Sequence, residues 1–324
     1  RGVGFHQNSE RRMSSVLFAL APVFGMIVIG YGLKRRGFVT DAFWEPAEKL
    51  TFYILFPSLL VTKIGGAQTA GADLLPMAAA LITATLIISG LVVMGRPGLH
   101  KAGLSGPGFT SVFQGAIRPT TFVGIPTAYA LFGDTGLALF AAALLAVIPI
   151  ANFFSLAVLI RWAKVHENGA QPGWGGVVGL ALKNPIILAC LAGGGLNLTG
   201  TGLPPVIGPI LENLGAASLP LGLMAAGSGL DFNNVMKSKA FVFGTSFVKL
   251  LITPAVTYAA CVTFGVDGTA LSVAVLFMAL PVAGASYVMA RQLGGDGPLM
   301  AGIITASTIA AAVTLPVVIM LTVR

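Results

Sequence analysis

A proline-interrupted apolar stretch constrains the fold of this chain more than any other feature. Residues 115–134 read GAIRPTTFVGIPTAYALFGD, which is apolar enough to lie in a bilayer although it contains Arg118, Pro119 and Pro126. Proline removes a backbone donor and clashes with the preceding turn, so we expect the helix to break near Pro119. In lipid, the freed backbone groups must be satisfied by protein, cavity water or a ligand. The stretch therefore indicates either a transporter's substrate site or a kinked helix that binds nothing.

A second stretch of the same kind lies in the other half of the chain. Residues 280–296 read LPVAGASYVMARQLGGD, and an offset of 162 residues aligns Asp134 with Asp296 and Pro119 with Pro281. Two more proline pairs are 163 residues apart: Pro22 with Pro185, and Pro57 with Pro220. The nearly constant offset predicts an internal repeat of about half the chain.

The composition is that of an integral membrane protein. Of the 324 residues, 56% are hydrophobic and 9% are charged, whereas soluble domains carry roughly 25% charged residues. Most of the basic residues behind the net charge of +8 lie in short loops, so they indicate orientation and not nucleic-acid binding. Cys190 and Cys261 lie in apolar segments, and no metal-ligand spacing is present. We expect neither a cofactor nor a metal site.

Ten apolar segments are long enough to span a bilayer, which takes roughly 20 residues. They are 15–33, 46–64, 74–95, 109–132, 136–160, 178–197, 206–229, 240–263, 269–291 and 299–322. Residues 1–12 form a polar N-terminal extension, which we exclude from the fold. Residues 13–163 hold the first five segments, residues 164–177 form a linker, and residues 178–324 hold the second five. The sequence thus predicts an all-α membrane fold of ten transmembrane helices.

Basic residues alternate from loop to loop. Lys or Arg follows segments one, three, five and seven and ends segment nine, whereas loops 65–73, 133–135, 198–205 and 264–268 contain none. Lys63, at the end of segment two, is the nearby exception. The asymmetry predicts that the basic loops and the linker are cytoplasmic and that both termini lie outside. Because five spans per half is an odd number, the 5+5 repeat must be inverted, which is typical of transporters with broken helices.

The two breaks fall near the middle of segments four and nine. If these helices cross there, the N-terminal ends of their half-helices present unpaired N–H groups and a partial positive charge to one small volume. Such a volume suits a carboxylate.

Several motifs together resemble the auxin efflux carrier family over residues 13–324. They are Arg118 to Pro126 with Leu131–Gly133, Asn184–Pro185 before Gly193–Gly195, Leu214–Ala217 through Pro220–Leu221, and Ser286–Tyr287 with Gly294–Asp296. Family members resemble plant auxin exporters and bacterial permeases for malonate or malate. The resemblance implies a fold similar to the bile-acid sodium symporters, with segments 1, 2, 6 and 7 as scaffold and the rest as a moving domain. Where the family often has Asn after the arginine, this chain has Thr120 and Thr121, which leaves the substrate open.

Ten residues are the candidate substrate-binding set. They are Pro57, Arg118, Pro119, Thr120, Thr121, Phe122, Asn152, Pro281, Ser286 and Tyr287. Arg118 would neutralise an anionic substrate or, alternatively, snorkel or cap carbonyls that Pro119 frees. The hydroxyls beside the breaks would line the site or bond back to their own helix. The aromatic rings of Phe122 and Tyr287 would wall a pocket or simply pack in the core.

Other polar residues argue against proton relays and enzymes. Lys249 lies mid-span in segment eight, where we expect a structural lysine that is paired or faces a cavity. Histidines lie outside the segments and acidic residues at or near their ends, so no central carboxylate or histidine relay is available. Gly284–Ala285–Ser286 resembles the G-x-S of intramembrane serine proteases, but no intramembrane histidine could activate the serine. We therefore expect no enzymatic activity.

The sequence predicts a secondary transporter of small organic anions, in particular carboxylates, that works by alternating access in a bacterial inner membrane. Its expected partners are the substrate, the lipid bilayer, Na⁺ or H⁺ as coupling ion and a second copy of the chain in a homodimer. Two alternatives stay open: a sodium-coupled symporter similar to the bile-acid carriers, and a passive channel or non-transporting sensor. Saturation and counterflow distinguish a carrier from a channel.

Overall fold

The computed structural model describes residues 3–66, 74–163 and 185–322, which form helices with short connections. The helices are α1 Val3–Arg35, α2 Asp41–Leu50, α3 Phe56–Gly65, α4 Leu74–Lys101, α5 Gly106–Ile117, α6 Thr121–Trp162, α7 Pro185–Thr199, α8 Ile207–Ser228, α9 Phe232–Lys237, α10 Lys239–Phe247, α11 Thr253–Thr263, α12 Gly268–Ala279, α13 Ala285–Gln292 and α14 Gly297–Thr322. Two π-helical turns, Thr51–Leu55 and Val248–Ile252, join α2 to α3 and α10 to α11. Within the described ranges, β pairing is limited to one isolated bridge.

Six helical stretches are long and apolar enough to cross a membrane. They are Phe18–Arg35, Leu74–Lys101, Thr121–Trp162, Ile207–Ser228, Lys239–Thr263 and Gly297–Thr322. The all-α membrane fold is thereby confirmed. Two apolar helices, Pro185–Thr199 and Gly268–Ala279, are shorter, and the first residues of predicted segment six lie outside the described residues. The count of ten spans and the inverted 5+5 repeat stay predictions.

Two features of the first half bear on the predicted boundaries. Helix α1 begins at Val3, so residues 3–12 of the predicted polar extension continue the first helix. Helix α6 is two helices that meet at Gly133, whose φ of 61° and ψ of −149° are not helical. A residue with a side chain is strained at such a φ, whereas glycine is not. This reversal lies between predicted segments four and five.

The two π-helical turns lie just before prolines. Pro57 follows the turn Thr51–Leu55, and Pro254 follows the turn Val248–Ile252. Proline cannot donate a backbone hydrogen bond, and a wider turn lets the helix continue past it. At these points the backbone changes from α-helical to π-helical hydrogen bonding, and the helix continues past the proline.

Glycines let the predicted scaffold helices pack backbone against backbone. Helix α1 lies against α8, where a Cβ on Gly30 would overlap the carbonyl of Met224 and one on Gly227 would overlap that of Ile27. Helix α3 packs between α7 and α8, and a Cβ on Gly193 would lie only 3.0 Å from Cβ of Ile64 and 3.1 Å from the carbonyl oxygen of Leu60, which is closer than ordinary contact. Small residues at such crossings are the usual means of helix association in lipid.

The helices that lead into the two breaks are buried on all sides. Every residue from Gly108 to Ile117 in α5 is buried, and so is every residue from Ala270 to Ala279 in α12. A helix that is apolar all round belongs in the interior of a helical assembly. Helices α4, α6, α10, α11 and α14 surround this pair, so both breaks lie inside the protein.

Candidate functional site: the crossing of the two broken helices

Both breaks form because a residue that precedes proline is extended. Helix α5 ends at Ile117, and Arg118, which precedes Pro119, has φ −100° and ψ 104°. Helix α12 ends at Ala279, and Leu280, which precedes Pro281, has φ −60° and ψ 148°. The ring of proline disfavours the helical conformation in the residue before it. The predicted breaks near Pro119 and Pro281 are confirmed.

The two extended segments cross and bind each other. Pro119 pairs with Val282 in an isolated antiparallel bridge. The N–H of Thr120 donates to the carbonyl of Pro281 at 2.9 Å, and the N–H of Ala283 donates to the carbonyl of Arg118 at 3.1 Å. The sequence predicts that the ends of the half-helices meet if the two broken helices cross. They do cross, and two backbone hydrogen bonds hold the crossing together.

The bridge corrects one expectation about free N–H groups. We expected the N–H groups at the breaks to be unpaired and to face a ligand, and this is wrong for Thr120 and Ala283, whose N–H groups bond across the crossing. The N–H of Val282 is also used, because it donates to Ser307 Oγ at 3.2 Å. The N–H groups of the first turn of α6, which begins at Thr121, have no acceptor within their own helix.

Arg118 is a buried cation without a carboxylate partner. Its side chain is 9% exposed, and its Nη1 contacts Gln114 Oε1 at 3.5 Å and Met289 Sδ at 3.0 Å. None of the ion pairs among the described residues includes it. An amide oxygen at that distance and a thioether are weak acceptors, so they do not compensate the cost of burying a guanidinium. The environment of Arg118 therefore favours binding of an anion.

Two more polar groups near Arg118 have unmet hydrogen-bonding capacity. Gln114 lies one turn before Arg118 on α5, is fully buried, and its Nε2 has no partner among the described residues. Ser286 is fully buried, its Oγ likewise has no described partner, and it lies one turn before Met289 on α13. Buried polar groups are normally hydrogen-bonded, so unpaired ones require an explanation. A bound anion would accept from the guanidinium, the amide and the hydroxyl.

An aromatic contact connects the crossing to α3, one of the predicted scaffold helices. The ring of Phe122, in the first turn of α6, packs edge-on against the ring of Phe56, with centroids 5.4 Å apart. Pro57 comes directly after Phe56 in α3. Thr120 is 6% exposed and Thr121 is half-buried. Pro57, Thr120, Thr121 and Phe122 therefore lie around the first break.

The remaining two candidates lie in different surroundings. Tyr287 is half-buried on α13, and its ring is 5.8 Å from the guanidinium of Arg291. A Cβ on Gly297 would lie 3.6 Å from the same ring. Asn152 is half-buried in the second part of α6, beyond the reversal at Gly133. None of the described hydrogen bonds of Arg118 reaches either residue.

One helix satisfies carbonyls at the ends of both broken helices. Lys249 is fully buried, and its Nζ donates to the carbonyl of Met278 in the last turn of α12 at 3.0 Å. Thr253 Oγ1 lies 3.4 Å from the carbonyl of Ala116 in the last turn of α5. Cations and donors at a helix C-terminus stabilise it, because its last carbonyls lack partners and carry partial negative charge. The predicted structural role of Lys249 agrees with this contact.

Sequence reasoning missed three residues of this site. Gln114 had a usable signal, because it lies four residues before Arg118 and such pairs face each other on a helix. Met289 and Ser307 had none, because their contacts cross between distant segments of the chain. Nothing in the sequence distinguishes Met289 or Ser307 from the other methionines and serines of the chain.

A family model supplies the identity of the chain. The model described as "Membrane transport protein" matches residues 15–168 and 177–319. The chain belongs to the membrane transport protein family. An uncharacterized transporter of Methanothermobacter thermautotrophicus is 27% identical over 298 residues, which cover 91% of this chain and 94% of that protein.

This membership confirms the resemblance to the auxin efflux carriers and the expectation of a protein of transmembrane transport. The six apolar helices independently indicate a multi-pass membrane protein. The crossing of two broken helices thus lies in a membrane transport protein.

Proposed function

We propose that this membrane transport protein is a secondary transporter of small organic anions, with carboxylates as the substrate class, and that the anion binds at the crossing. The observation that carries the proposal is the buried guanidinium of Arg118 beside the crossing, which none of the described ion pairs includes and which has only two weak acceptors. A carboxylate is planar and matches the fork of a guanidinium with two parallel hydrogen bonds. Broken helices at membrane depth are common substrate sites in secondary transporters.

The substrate would complete a set of donors that the protein leaves incomplete. The carboxylate would accept from Arg118 and from the unpartnered Nε2 of Gln114 and Oγ of Ser286. The positive end of the α6 helix dipole, which begins at Thr121, adds to the attraction. The hydrogen bonds across the bridge keep the backbone of both breaks fixed while the side chains bind.

Alternating access would move the crossing relative to the scaffold. Helices α1, α3, α7 and α8 pack on one another, whereas α5, α6, α12 and α14 pack around the crossing. The Phe56–Phe122 contact lies between these two groups. Rocking of the second group would shift the Phe56–Phe122 contact and open the crossing to one side of the membrane at a time. The proposal includes an inverted repeat of five helices in each half of the chain.

The proposal includes an orientation and partners. The basic loops would lie in the cytoplasm of a bacterial cell and both termini outside its inner membrane, because positive loops stay on the inner side. Na⁺ or H⁺ as coupling ion, and a homodimer, complete the proposal. Among the described residues no group of three potential metal-ligating side chains occurs, so we propose no resident metal.

Counterflow in proteoliposomes tests the proposal. A thermal-shift screen of mono- and dicarboxylates selects the ligand, and liposomes loaded with that unlabelled ligand are then diluted into a trace of labelled ligand. A carrier gives saturable uptake and transient accumulation of label. Uptake without saturation or counterflow indicates a channel, and binding without uptake indicates a sensor. Either result overturns the proposal, and imposed Na⁺ or pH gradients in the same assay identify the coupling ion.

A further inference from the structure

An apolar groove lies on the outside of the helices that carry the crossing. It encloses about 500 Å³ between α4, α5, α10 and the π-helical turn Val248–Ile252. Its lining comes mostly from two facing rows, Ile88 to Leu99 on α4 and Ala240 to Ile252 on the facing helix. Side chains of α5, including Ala116, form its floor. The groove is therefore separate from the anion site, although it contacts α5, the helix that ends just before Arg118.

The groove has the length of one leaflet of a bilayer. The row on α4 covers 11 residue steps and the facing row covers 12, which correspond to about 16 and 18 Å at the rise of an α-helix. Half of a typical hydrocarbon core is about 15 Å. An extended acyl chain from one leaflet thus matches the groove in both length and polarity.

One end of the groove carries positive charge. Lys101 follows the α4 row by two residues, and Lys239 directly precedes the facing row. Both lysines are exposed, and none of the described ion pairs includes them. Helix α10 also begins at this end, and its N-cap Ser238 makes no side-chain capping hydrogen bond. A helix N-terminus beside lysines favours phosphate.

We propose that this groove binds one acyl chain of an anionic phospholipid, whose headgroup phosphate lies between Lys101 and Lys239. The acyl chain alone gives little preference, because surrounding lipid is as apolar as the groove. Shape and headgroup charge would therefore select the lipid. Each lysine near an anionic lipid contributes about fivefold in affinity.

Three glycines make the groove testable without disturbing the fold. Gly95, Gly98 and Gly244 line it, and a Cβ on any of them would meet no heavy atom within 4 Å. Leucine at such a position fills the groove and also raises helix propensity. Gly90 lies on the same helix α4, is equally open, and does not line the groove, so Gly90→Leu is the matched control.

The experiment is native mass spectrometry of the purified protein titrated with phosphatidylglycerol and phosphatidylcholine of identical acyl chains. We expect one phosphatidylglycerol to bind about 25-fold more tightly than phosphatidylcholine, since each of the two lysines contributes about fivefold. Gly98→Leu with Gly244→Leu should remove this bound lipid, and Gly90→Leu should retain it. The double variant Lys101→Gln with Lys239→Gln should bind the two lipids with about equal affinity, because phosphatidylglycerol binding falls while phosphatidylcholine binding stays unchanged. Glycerol phosphate, which lacks acyl chains, should not compete.

Three results would overturn the proposal. Equal binding of the two lipids by the unmodified protein would show surrounding lipid only. Unchanged phosphatidylglycerol binding by the groove-filled variant would place the lipid elsewhere. A dimer that disappears in the groove-filled variant but not in Gly90→Leu would show that a second copy of the chain occupies the groove.

Discussion

At both breaks a fully buried apolar helix stops before a proline, and the residue before that proline is extended. The first break then enters α6 after three residues, Arg118 to Thr120, and it carries a buried guanidinium. The second break takes five residues, Leu280 to Gly284, and none of them is charged. The two segments share the same backbone feature, an extended residue before a proline, but their side chains differ in charge.

The ends of the two incoming helices differ in the same way. The carbonyl of Met278, in the last turn of α12, accepts a hydrogen bond from Nζ of Lys249 at 3.0 Å, whereas the carbonyl of Ala116, in the last turn of α5, lies 3.4 Å from the hydroxyl of Thr253. A side-chain amine of the protein therefore already binds the end of the helix before the second break. Arg118 lies at the first break, and its weak contacts would leave it able to bind the proposed anion.

The proposed site would therefore use the two breaks differently, although the backbones of the two breaks are similar. The second break supplies acceptor and donor groups of its backbone to hold the first break in place. The first break supplies the charge. We therefore expect substitutions at the first break to change binding more than equivalent substitutions at the second.

Arg118→Gln should have the largest effect. A carboxylate that accepts two charge-assisted hydrogen bonds loses both, and at roughly 1.5 kcal/mol each the affinity falls about 100-fold. Isothermal titration with the best carboxylate of the screen measures this. Arg36→Gln changes an exposed arginine and should bind like the unmodified protein. Equal affinity of Arg118→Gln and the unmodified protein would remove Arg118 from the site.

The proline pair should give an intermediate and unequal effect. Pro119→Ala would allow Arg118, the residue before it, to become helical, whereas Pro281→Ala would allow this for the apolar Leu280. We expect affinity losses of about tenfold and about threefold respectively, and a double variant that is less than additive, because both act on one bridge. Pro97→Ala, at an exposed position in α4, is the control. Equal losses would contradict the asymmetry, and normal binding by both variants would show that the crossing is architecture alone.

Ser286→Ala should have the smallest effect on affinity, about threefold. Its hydroxyl has no described partner, so its removal should leave the melting temperature unchanged or raise it. Ser218→Ala is the control, because that hydroxyl is equally buried but donates to the carbonyl of Gly215 at 2.6 Å. It should lower the melting temperature and leave affinity unchanged. The opposite pattern, a less stable Ser286→Ala with full affinity, would make Ser286 structural.

The breaks could be predicted because the effect of proline on its neighbour is local. Pro119 and Pro281 each act on the residue before them, and an apolar context shows that the break lies in a membrane segment. Gly133 likewise lies in the connection 133–135 that the sequence predicts between segments four and five. These features depend on a few consecutive residues only.

The contacts across the crossing could not be predicted, because they depend on register and helix rotation. The sequence does not reveal that Thr120 pairs with Pro281, and so its N–H was wrongly expected to be free. The partner of Lys249 is a backbone carbonyl 29 residues away, which has no side-chain signature. Tyr287 and Arg291, by contrast, are four residues apart on α13, a spacing that brings side chains together on a helix, so their contact could have been predicted.

The most direct test of the central claim is an experimental structure of the protein with the tightest-binding carboxylate of the screen. We predict density for the anion at the crossing, with carboxylate oxygens roughly 2.7–2.9 Å from the guanidinium nitrogens of Arg118 and within hydrogen-bond distance of Gln114 or Ser286. A carboxylate bound elsewhere, with Arg118 still in contact only with Gln114 and Met289, would contradict it.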